Sequence, residues 1–345
     1  MALTITELLE AESVPTPFDI VRAAYVELHV RDLAASRHFY VDLLGLVVSA
    51  ETDDALYLRG WEERVHHSIV LRQADHAAAA RLGFRTREGA DLDALARVLQ
   101  GLGCTVWWVD GALPQMGRAL RARDPFGFPL EFFHEIGLLE SQLQRYDLQR
   151  GAPIMRIDHF NLHSPEVEET FAFWQHLGFR CSEYISTDGE PEDERLAGAW
   201  LFRKPGVHDV ALTLGRGPRL HHIGVWVPEP GGVLRTCDQL AAAGAGAAIE
   251  RGPGRHGVSN AFFVYLRDPD GHRIELYTCD YYTGDPDHRP LRWSVTDPRC
   301  RSFWGAVAPD SWYEESTELL GPDGRLIPTT AASLDERRAR TQVMA

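Results

Sequence analysis

One stretch constrains this chain more than any other. The segment from Tyr265 to Tyr277, YLRDPDGHRIELY, is a second copy of an earlier one, ALRARDPFGFPLEFF. Aligned without a gap, Asp124, Pro125, Gly127 and Glu131 fall on Asp268, Pro269, Gly271 and Glu275. In both copies an Asp-Pro-x-Gly turn feeds a short apolar strand. Each strand carries one carboxylate among leucine, isoleucine and aromatic residues, and a carboxylate buried there needs a cation or a hydrogen-bond network. Histidines that could share a metal with it lie upstream of the second copy but not of the first. The pattern predicts a duplicated scaffold with one live site.

Four similar units run along the chain, each a strand, a helix ending near a glycine, and further strands. They begin at AYVELHV, RLGFRTR, MRIDHFNLHSP and RLHHIGVWV. Helices follow from apolar spacing, with Phe171, Trp174 and Leu177 on one face and Leu95, Val98, Leu99 and Leu102 on another. Gly45, Gly178 and Gly244 read as helix stops. This repeat resembles the vicinal oxygen chelate superfamily. The resemblance implies an α+β fold of four βαβββ modules paired into two domains, each a cupped mixed sheet. The expected divisions are a non-catalytic domain over 1–150, a metal-binding domain over 151–285, and a segment over 286–345 that packs across the site. The last stretch, SLDERRARTQVMA, reads as mobile.

Composition narrows the class of partner. The chain has 345 residues with 35 basic and 50 acidic side chains, which argues against nucleic acid or an anionic membrane as a partner. No apolar run approaches the roughly 20 residues of a membrane span, and the N-terminal residues lack a signal-peptide pattern. The five cysteines, Cys104, Cys181, Cys237, Cys279 and Cys300, are scattered and odd in number, which fits a reducing cytoplasm.

Strand alternation sorts the histidines. In LHHIGVWV, His221 alternates with Ile223, Val225 and Val227, the packing face, whereas His222 alternates with Gly224 and Trp226 toward the cup. In HRIELY, Glu275 and Tyr277 point inward, opposite Ile274 and Leu276. In MRIDHFNLH, His159 and Asn161 lie opposite Phe160 and Leu162. Two inward histidines and an inward glutamate from three strands make a facial triad suited to Fe(II) or Mn(II), with zinc as the physical rival. A single strand histidine is more often structural, so the conjunction carries the argument. The N-terminal half is a control. Around Val26 and Gly83–Phe84, where its ligands are expected, there is no histidine, so Glu131 reads as structural and His29 and His67 as bland.

Longer motifs sharpen the resemblance. IMRIDHFN, GPRLHHIG, IERGPGRHGVSNAFFVYLRDPDGHRIELY and DYYTGDP are similar to the type I extradiol ring-cleaving dioxygenases, nearest the branch that acts on homoprotocatechuate (3,4-dihydroxyphenylacetate). That resemblance implies His159, His222 and Glu275 as metal ligands, Fe(II) first and Mn(II) second. It implies His208 as the pocket histidine handling oxygen and protons, and Tyr265 beside the catechol oxygen. Asn161 and Trp200 would surround the pocket, and Arg251, His256 and Arg301 would bind or cover the substrate carboxylate. The implied reaction is cleavage of 3,4-dihydroxyphenylacetate, or a close para-substituted catechol, next to its diol by O2. The product would be a 2-hydroxymuconate semialdehyde derivative, within aromatic catabolism. A homotetramer is implied too. One departure stands out: where the family has adjacent arginines this chain has Cys300-Arg301, removing one cation near the acidic arm. Two rivals remain at this point, a metal-dependent lyase or isomerase of the glyoxalase kind and a non-catalytic ligand-sequestering protein on the same fold.

Overall fold

The computed structural model describes residues 4–10, 15–190 and 193–330; the C-terminal stretch expected to be mobile lies outside them. The chain builds two mixed sheets of eight and nine strands. The first runs, edge to edge, through Val47–Glu51, Ala55–Arg59, Ile69–Gln73, Ile20–Val30, Ala78–Thr86, Pro129–Phe133, Arg118–Arg123 and Thr105–Asp110. The second runs through Ile249–Arg255, Phe262–Arg267, Arg273–Thr278, Arg219–Trp226, Arg156–Ser164, Val210–Leu214, Leu196–Phe202, Arg180–Ser186 and Leu291–Ser294. The opening strands of two modules pair antiparallel at the centre of each sheet, and each also pairs in parallel with the closing strand of its own module. The four βαβββ modules and two cupped sheets are therefore as the repeat predicts. Leu291–Ser294 adds a further strand, parallel to Arg180–Ser186, from the segment expected only to pack across the site.

Alternation explains which face is which. Phe160 and Leu162 bury on the packing face, where Phe160 meets Phe84 of the first sheet at 5.6 Å between ring centroids. Phe84 also packs on Trp174 at 5.2 Å, so one apolar core runs between the sheets. Trp174 comes from the helix Val167–His176, whose Glu168 and Glu169 sit in the first turn and His176 in the last. The two glutamates complement the positive end of the helix dipole. Gly178 ends that helix with φ +81°, a conformation other residues adopt at a cost.

The repeated turns are built alike. Asp268 Oδ1 accepts from the backbone N–H groups of Asp270 (2.9 Å) and His272 (2.8 Å), as Asp124 Oδ1 does from Phe126 (3.0 Å) and Phe128 (2.8 Å). The second turn also docks on the first half. Tyr40 donates its hydroxyl to Asp268 (3.0 Å), Arg31 pairs with Asp270 (2.6 Å), and His272 Nε2 donates to the His29 carbonyl (2.9 Å). Asp209 adds a further tie by accepting from the Ala23 N–H at 2.8 Å. These contacts hold the Asp268 turn, and Asp209 next to His208, against the other sheet.

Candidate metal centre

Three neighbouring strands bring His159, His222 and Glu275 together, with one donor atom from each inside a common 4.8 Å sphere. His159 Nε2 lies 3.3 Å from His222 Nε2 and 3.1 Å from Glu275 Oε2, and His222 Nε2 lies 3.1 Å from the same oxygen. The register explains the convergence, since His159 pairs across Gly224, which in turn pairs with Glu275. A Cβ on Gly224 would stand 2.1 Å from the His159 ring, so only glycine leaves room for that imidazole.

Hydrogen bonds to the far side of each ring fix which nitrogen is bare. His159 Nδ1 donates to Asp158 at 2.9 Å, so in the neutral ring Nε2 carries the lone pair. His221 Nε2 donates to the Trp312 carbonyl at 2.7 Å, and burial, with help from nearby Arg273, holds His221 neutral. Its Nδ1 must then accept from His222 Nδ1, 2.7 Å away, which leaves His222 Nε2 bare as well. Two lone pairs and a carboxylate facing one another in a buried space call for a cation. The donor set fits Fe(II) or Mn(II), and the outer-side partners are those that orient metal-bound histidines.

His221 corrects the alternation reading. A bulge between Leu220 and His222 breaks the alternation, so His221 does not join Ile223 on the packing face. Its ring lies 4.5 Å from both His163 and Trp312, in a layer directly behind His222. A bulge is set by neighbouring strands and leaves no mark in the pattern of a single one.

Above the triad opens a cleft of about 770 Å³, its mouth included. Asn161, Trp200, His208, His222, His256, Tyr265, Glu275 and Arg301 line it, whereas His159 lies fully buried beneath and Arg251 stands behind the wall. The His208 ring centroid is 3.9 Å from that of His159, and its Nδ1 has no protein partner. Burial first, and then the neighbouring His159 and Lys204, keep His208 well below the usual histidine pKa. Lys204 Nζ donates to the backbone carbonyls of Asp158 (2.6 Å) and His208, tying the two histidine-bearing segments together.

On the opposite wall His256 Nδ1 donates to the Arg301 carbonyl, and Nε2 lies 3.0 Å from the Tyr265 hydroxyl. Burial pushes His256 down to about 3, so Nε2 accepts and Tyr265 donates. Asn161 Oδ1 accepts from Thr213 Oγ1 at 2.8 Å. Arg251 stacks on Trp312, Phe263 and Tyr265 with Cζ at 4.7, 5.0 and 5.7 Å from their centroids. Its Nη2 donates to the Arg301 carbonyl and to Ser302 Oγ at 2.9 Å each, while Nε and Nη1 find no partner in the protein. Cys300 does not reach the cleft; it is fully buried with Trp200, Val258 and Val295. His163, Trp312 and Tyr313 also line the cleft and were not read from the sequence. His163 continues the inward alternation of His159 and Asn161, a signal that was available; the two aromatics come from a distant short helix, Asp310–Glu314.

The first sheet holds the counterpart, displaced slightly from the expected positions. Tyr25, rather than Val26, pairs across Gly83 to Glu131, and Arg81 stands where His222 stands in the second sheet. Tyr25 donates to Glu131, Arg121 donates to the same carboxylate at 2.5 Å, and Arg81 bonds Glu27. Glu131 is thus satisfied by a phenol and a guanidinium, without a metal.

Comparison with known proteins agrees with this geometry. Residues 22–132 and 156–276 match the model of the Glyoxalase/Bleomycin resistance protein/Dioxygenase superfamily. Homoprotocatechuate 2,3-dioxygenase from Brevibacterium fuscum, solved as an anaerobic complex with 3,4-dihydroxyphenylacetate, is 45% identical with a TM-score of 0.88, covering 92% of this chain and 100% of that one. The enzyme of the same name from Arthrobacter globiformis is 46% identical with a TM-score of 0.89, covering 94% of this chain and 99% of that one. A manganese-dependent 2,3-dihydroxybiphenyl 1,2-dioxygenase from Geobacillus genomosp. 3 is 31% identical over 301 residues, 83% of this chain and 94% of that protein. With both sheets matched by the family model and more than nine-tenths of the length matched by its ring-cleaving members, the chain belongs to the glyoxalase, bleomycin resistance and dioxygenase superfamily, among its metal-dependent extradiol dioxygenases.

Proposed function

We propose that this protein opens 3,4-dihydroxyphenylacetate, or a close para-substituted catechol, next to its diol with O2. His159, His222 and Glu275 hold Fe(II) or Mn(II). The observation that carries the reading is the meeting of two bare imidazole nitrogens and one carboxylate at the floor of a cleft walled by His208 and Tyr265. When bound, the metal supplies a common anchoring point for catechol and O2 and a route for electrons from ring to oxygen.

The chain's own groups do the rest. Two neutral imidazoles and one carboxylate leave a single positive charge on a divalent site, which a catechol monoanion neutralises. His208, neutral and with Nδ1 unpartnered, takes the catechol proton and returns it while the O–O bond breaks. Tyr265 stays a phenol because burial, and next the Glu275 charge, raise its pKa well above the usual value; held by His256, it orients a catechol oxygen. Trp200 forms the wall, and the Asn161 amide group borders the ring. The substrate carboxylate meets Arg301 at the cleft, and Arg251, behind the wall, holds the Arg301 carbonyl through Nη2 and adds its positive charge to that end. Both atoms of O2 enter the product as the ring carbon–carbon bond breaks, leaving a carboxylate at one end and an aldehyde at the other.

Glu275 is the sole acid lining the cleft among the described residues, whereas a lyase or isomerase of the glyoxalase kind needs a further acid to move a substrate proton. The proposal extends to a cytoplasmic homotetramer, supported by five free cysteines and by the resemblance. Among the described residues no helix is long and apolar enough to cross a membrane.

The test is oxygen uptake by anaerobically purified protein loaded separately with Fe(II), Mn(II) and Zn(II). Uptake matched mole for mole by a yellow semialdehyde is the expected result with Fe(II) or Mn(II). Metal-loaded protein that consumes no O2 with any para-substituted catechol would refute it.

A further inference from the structure

The first sheet also encloses a cavity, of about 670 Å³ with its mouth included, and strand register makes it the counterpart of the catalytic cleft. Arg81 takes the place of His222, and His29 that of His163. Arg121 and Trp107 pair across to Glu131 as Tyr265 and Arg251 pair across to Glu275. The cavity is roofed by the C-terminal strap, with Leu320 and Ile327 above it, much as Trp312 and Tyr313 border the catalytic one.

Its chemistry is inverted. Three guanidinium groups, Arg81, Arg121 and Arg123, face this space together with His29, and no carboxylate lines it among the described residues. Arg121 commits Nε to Glu131, and Arg81 commits Nη1 to Glu27 and keeps Nε 3.6 Å from Glu131, which leaves Nη1 and Nη2 of Arg121 and Nη2 of Arg81 for a further acceptor. Among the described residues Arg123 makes no ion pair within 4 Å, its nearest charge effect being on the adjacent Asp124, and His29 Nδ1 has no hydrogen-bond partner. Beside this basic end lie Trp107, Leu130, Leu320 and Ile327, an apolar end within the same walls.

We propose that the cup of the first sheet is a binding site for a small organic carboxylate with a flat apolar body. The carboxylate would sit between Arg121 and Arg123, and the body against Trp107 beneath the strap. A guanidinium fork matches a carboxylate in two parallel hydrogen bonds, and an indole face accepts a flat ring. Where the second sheet gathers anionic and neutral donors around a cation, the first gathers cations around an anion.

The experiment is calorimetric titration of the metal-loaded protein with benzoate, and with acetate in parallel. The structure predicts one benzoate per chain, with acetate at least about tenfold weaker because it lacks the ring. Arg123→Glu and Trp107→Ala each weaken benzoate about tenfold or more, Arg123→Lys retains most of the affinity, and Arg251→Ala leaves it unchanged. Arg123 is exposed and Trp107 half-buried on an outer strand, so thermal melts of these variants should match the parent. Absence of benzoate binding overturns the proposal. So does binding that survives Arg123→Glu but fails in Arg251→Ala, which would place benzoate in the catalytic cleft. Equal affinity for acetate and benzoate would overturn the apolar half of the site.

Discussion

Gly224→Ala tests the catalytic geometry with a single methyl group, and Gly83→Ala supplies its control. At Gly224 a Cβ would stand 2.1 Å from His159 Cε1 and 2.4 Å from each ring nitrogen, where ordinary contact begins at 3.4 Å. The imidazole, or the strand beneath it, must therefore give way by 1.3 Å (3.4 minus 2.1). The ring has little room to retreat, because His208 lies 3.9 Å away and Tyr277 4.9 Å away, centroid to centroid. Overpacking of this kind costs about 1–3 kcal/mol of stability. A misplacement of about 1 Å at a reacting centre costs about 100-fold in rate. At Gly83 the same methyl would meet Tyr25 at 2.0 Å, in the equivalent place of the other sheet.

Both variants should lose a similar amount of stability in urea. Only Gly224→Ala should also lose bound metal and about 100-fold in catechol-dependent oxygen uptake, and Gly83→Ala should stay within about twofold of the parent. Turnover and metal content would be measured on folded protein at one temperature. Full metal and full turnover in Gly224→Ala would refute the argument that this glycine seats the His159 ring. Equal loss of turnover in folded Gly83→Ala would refute the assignment of one live cup.

Further outcomes follow from the contacts around the triad. Asp158→Asn replaces the anion that accepts from His159 Nδ1 and should weaken metal affinity about 10- to 100-fold, measured by competition with a chelator. Tyr265→Phe should lower kcat by about 100-fold with metal content unchanged, because it removes only the hydroxyl held by His256. Glu250, though its burial opposes ionisation, is held down to about 2 by Arg273 and Arg267, so its stabilising charge is complete above its ordinary value of 4.5. Glu250→Gln leaves the buried Arg273 without its carboxylate and should cost about 3 kcal/mol at neutral pH. The gap to the parent should close as pH falls from 4.5 toward 2, followed by urea melts across that range. Removing metal should speed amide exchange in Arg156–Ser164, Arg219–Trp226 and Arg273–Thr278 while leaving Ile20–Val30 and Ala78–Thr86 as protected as before. Equal loosening of both sheets would contradict the metal-free satisfaction of Glu131.

Much of this arrangement is legible in the sequence because strand periodicity is strict. The repeated Asp-Pro-x-Gly turn and the alternation in HRIELY and MRIDHFN place Glu275 and His159 on the cup face, as the structure has them. Alternation fails at His221, where the bulge moves one side chain across the sheet, and the same bulge recurs between Glu27 and Leu28 of the first sheet. The counterparts of the ligands in the first sheet are Tyr25 and Arg81, one and two residues from the expected Val26 and Gly83. Trp312 and Tyr313 were illegible for a different reason. They reach the cleft because Arg273 donates to the Ser311 and Glu315 carbonyls, a tertiary anchor that no local pattern encodes. Cys300 shows the limit of reading a departure by position alone. An arginine was missed near the acidic arm, yet this side chain packs beneath Trp200 and leaves Arg301 at the cleft.

The duplicated glutamate poses the same electrostatic problem in both halves, a carboxylate in the middle of a buried strand. The second sheet leaves its neighbours as bare lone pairs, so the carboxylate is stable only when something cationic joins it. The first sheet carries its cations on the chain, with Arg121 on the carboxylate and Tyr25 donating from the position of His159. A covalently tethered guanidinium cannot leave and offers no open coordination position, so this half is independent of metal and unable to do metal chemistry. Glu131 therefore needs no catalytic explanation, because its partners supply the cation within the same fold. The need for an external cation is confined to one sheet, and the other sheet holds Asp209 and the turn at Asp268 from outside. A rigid, metal-independent half braced against a metal-dependent one keeps the three donor atoms in register before any ion arrives, which is the condition for a site that binds and releases substrate without rebuilding itself.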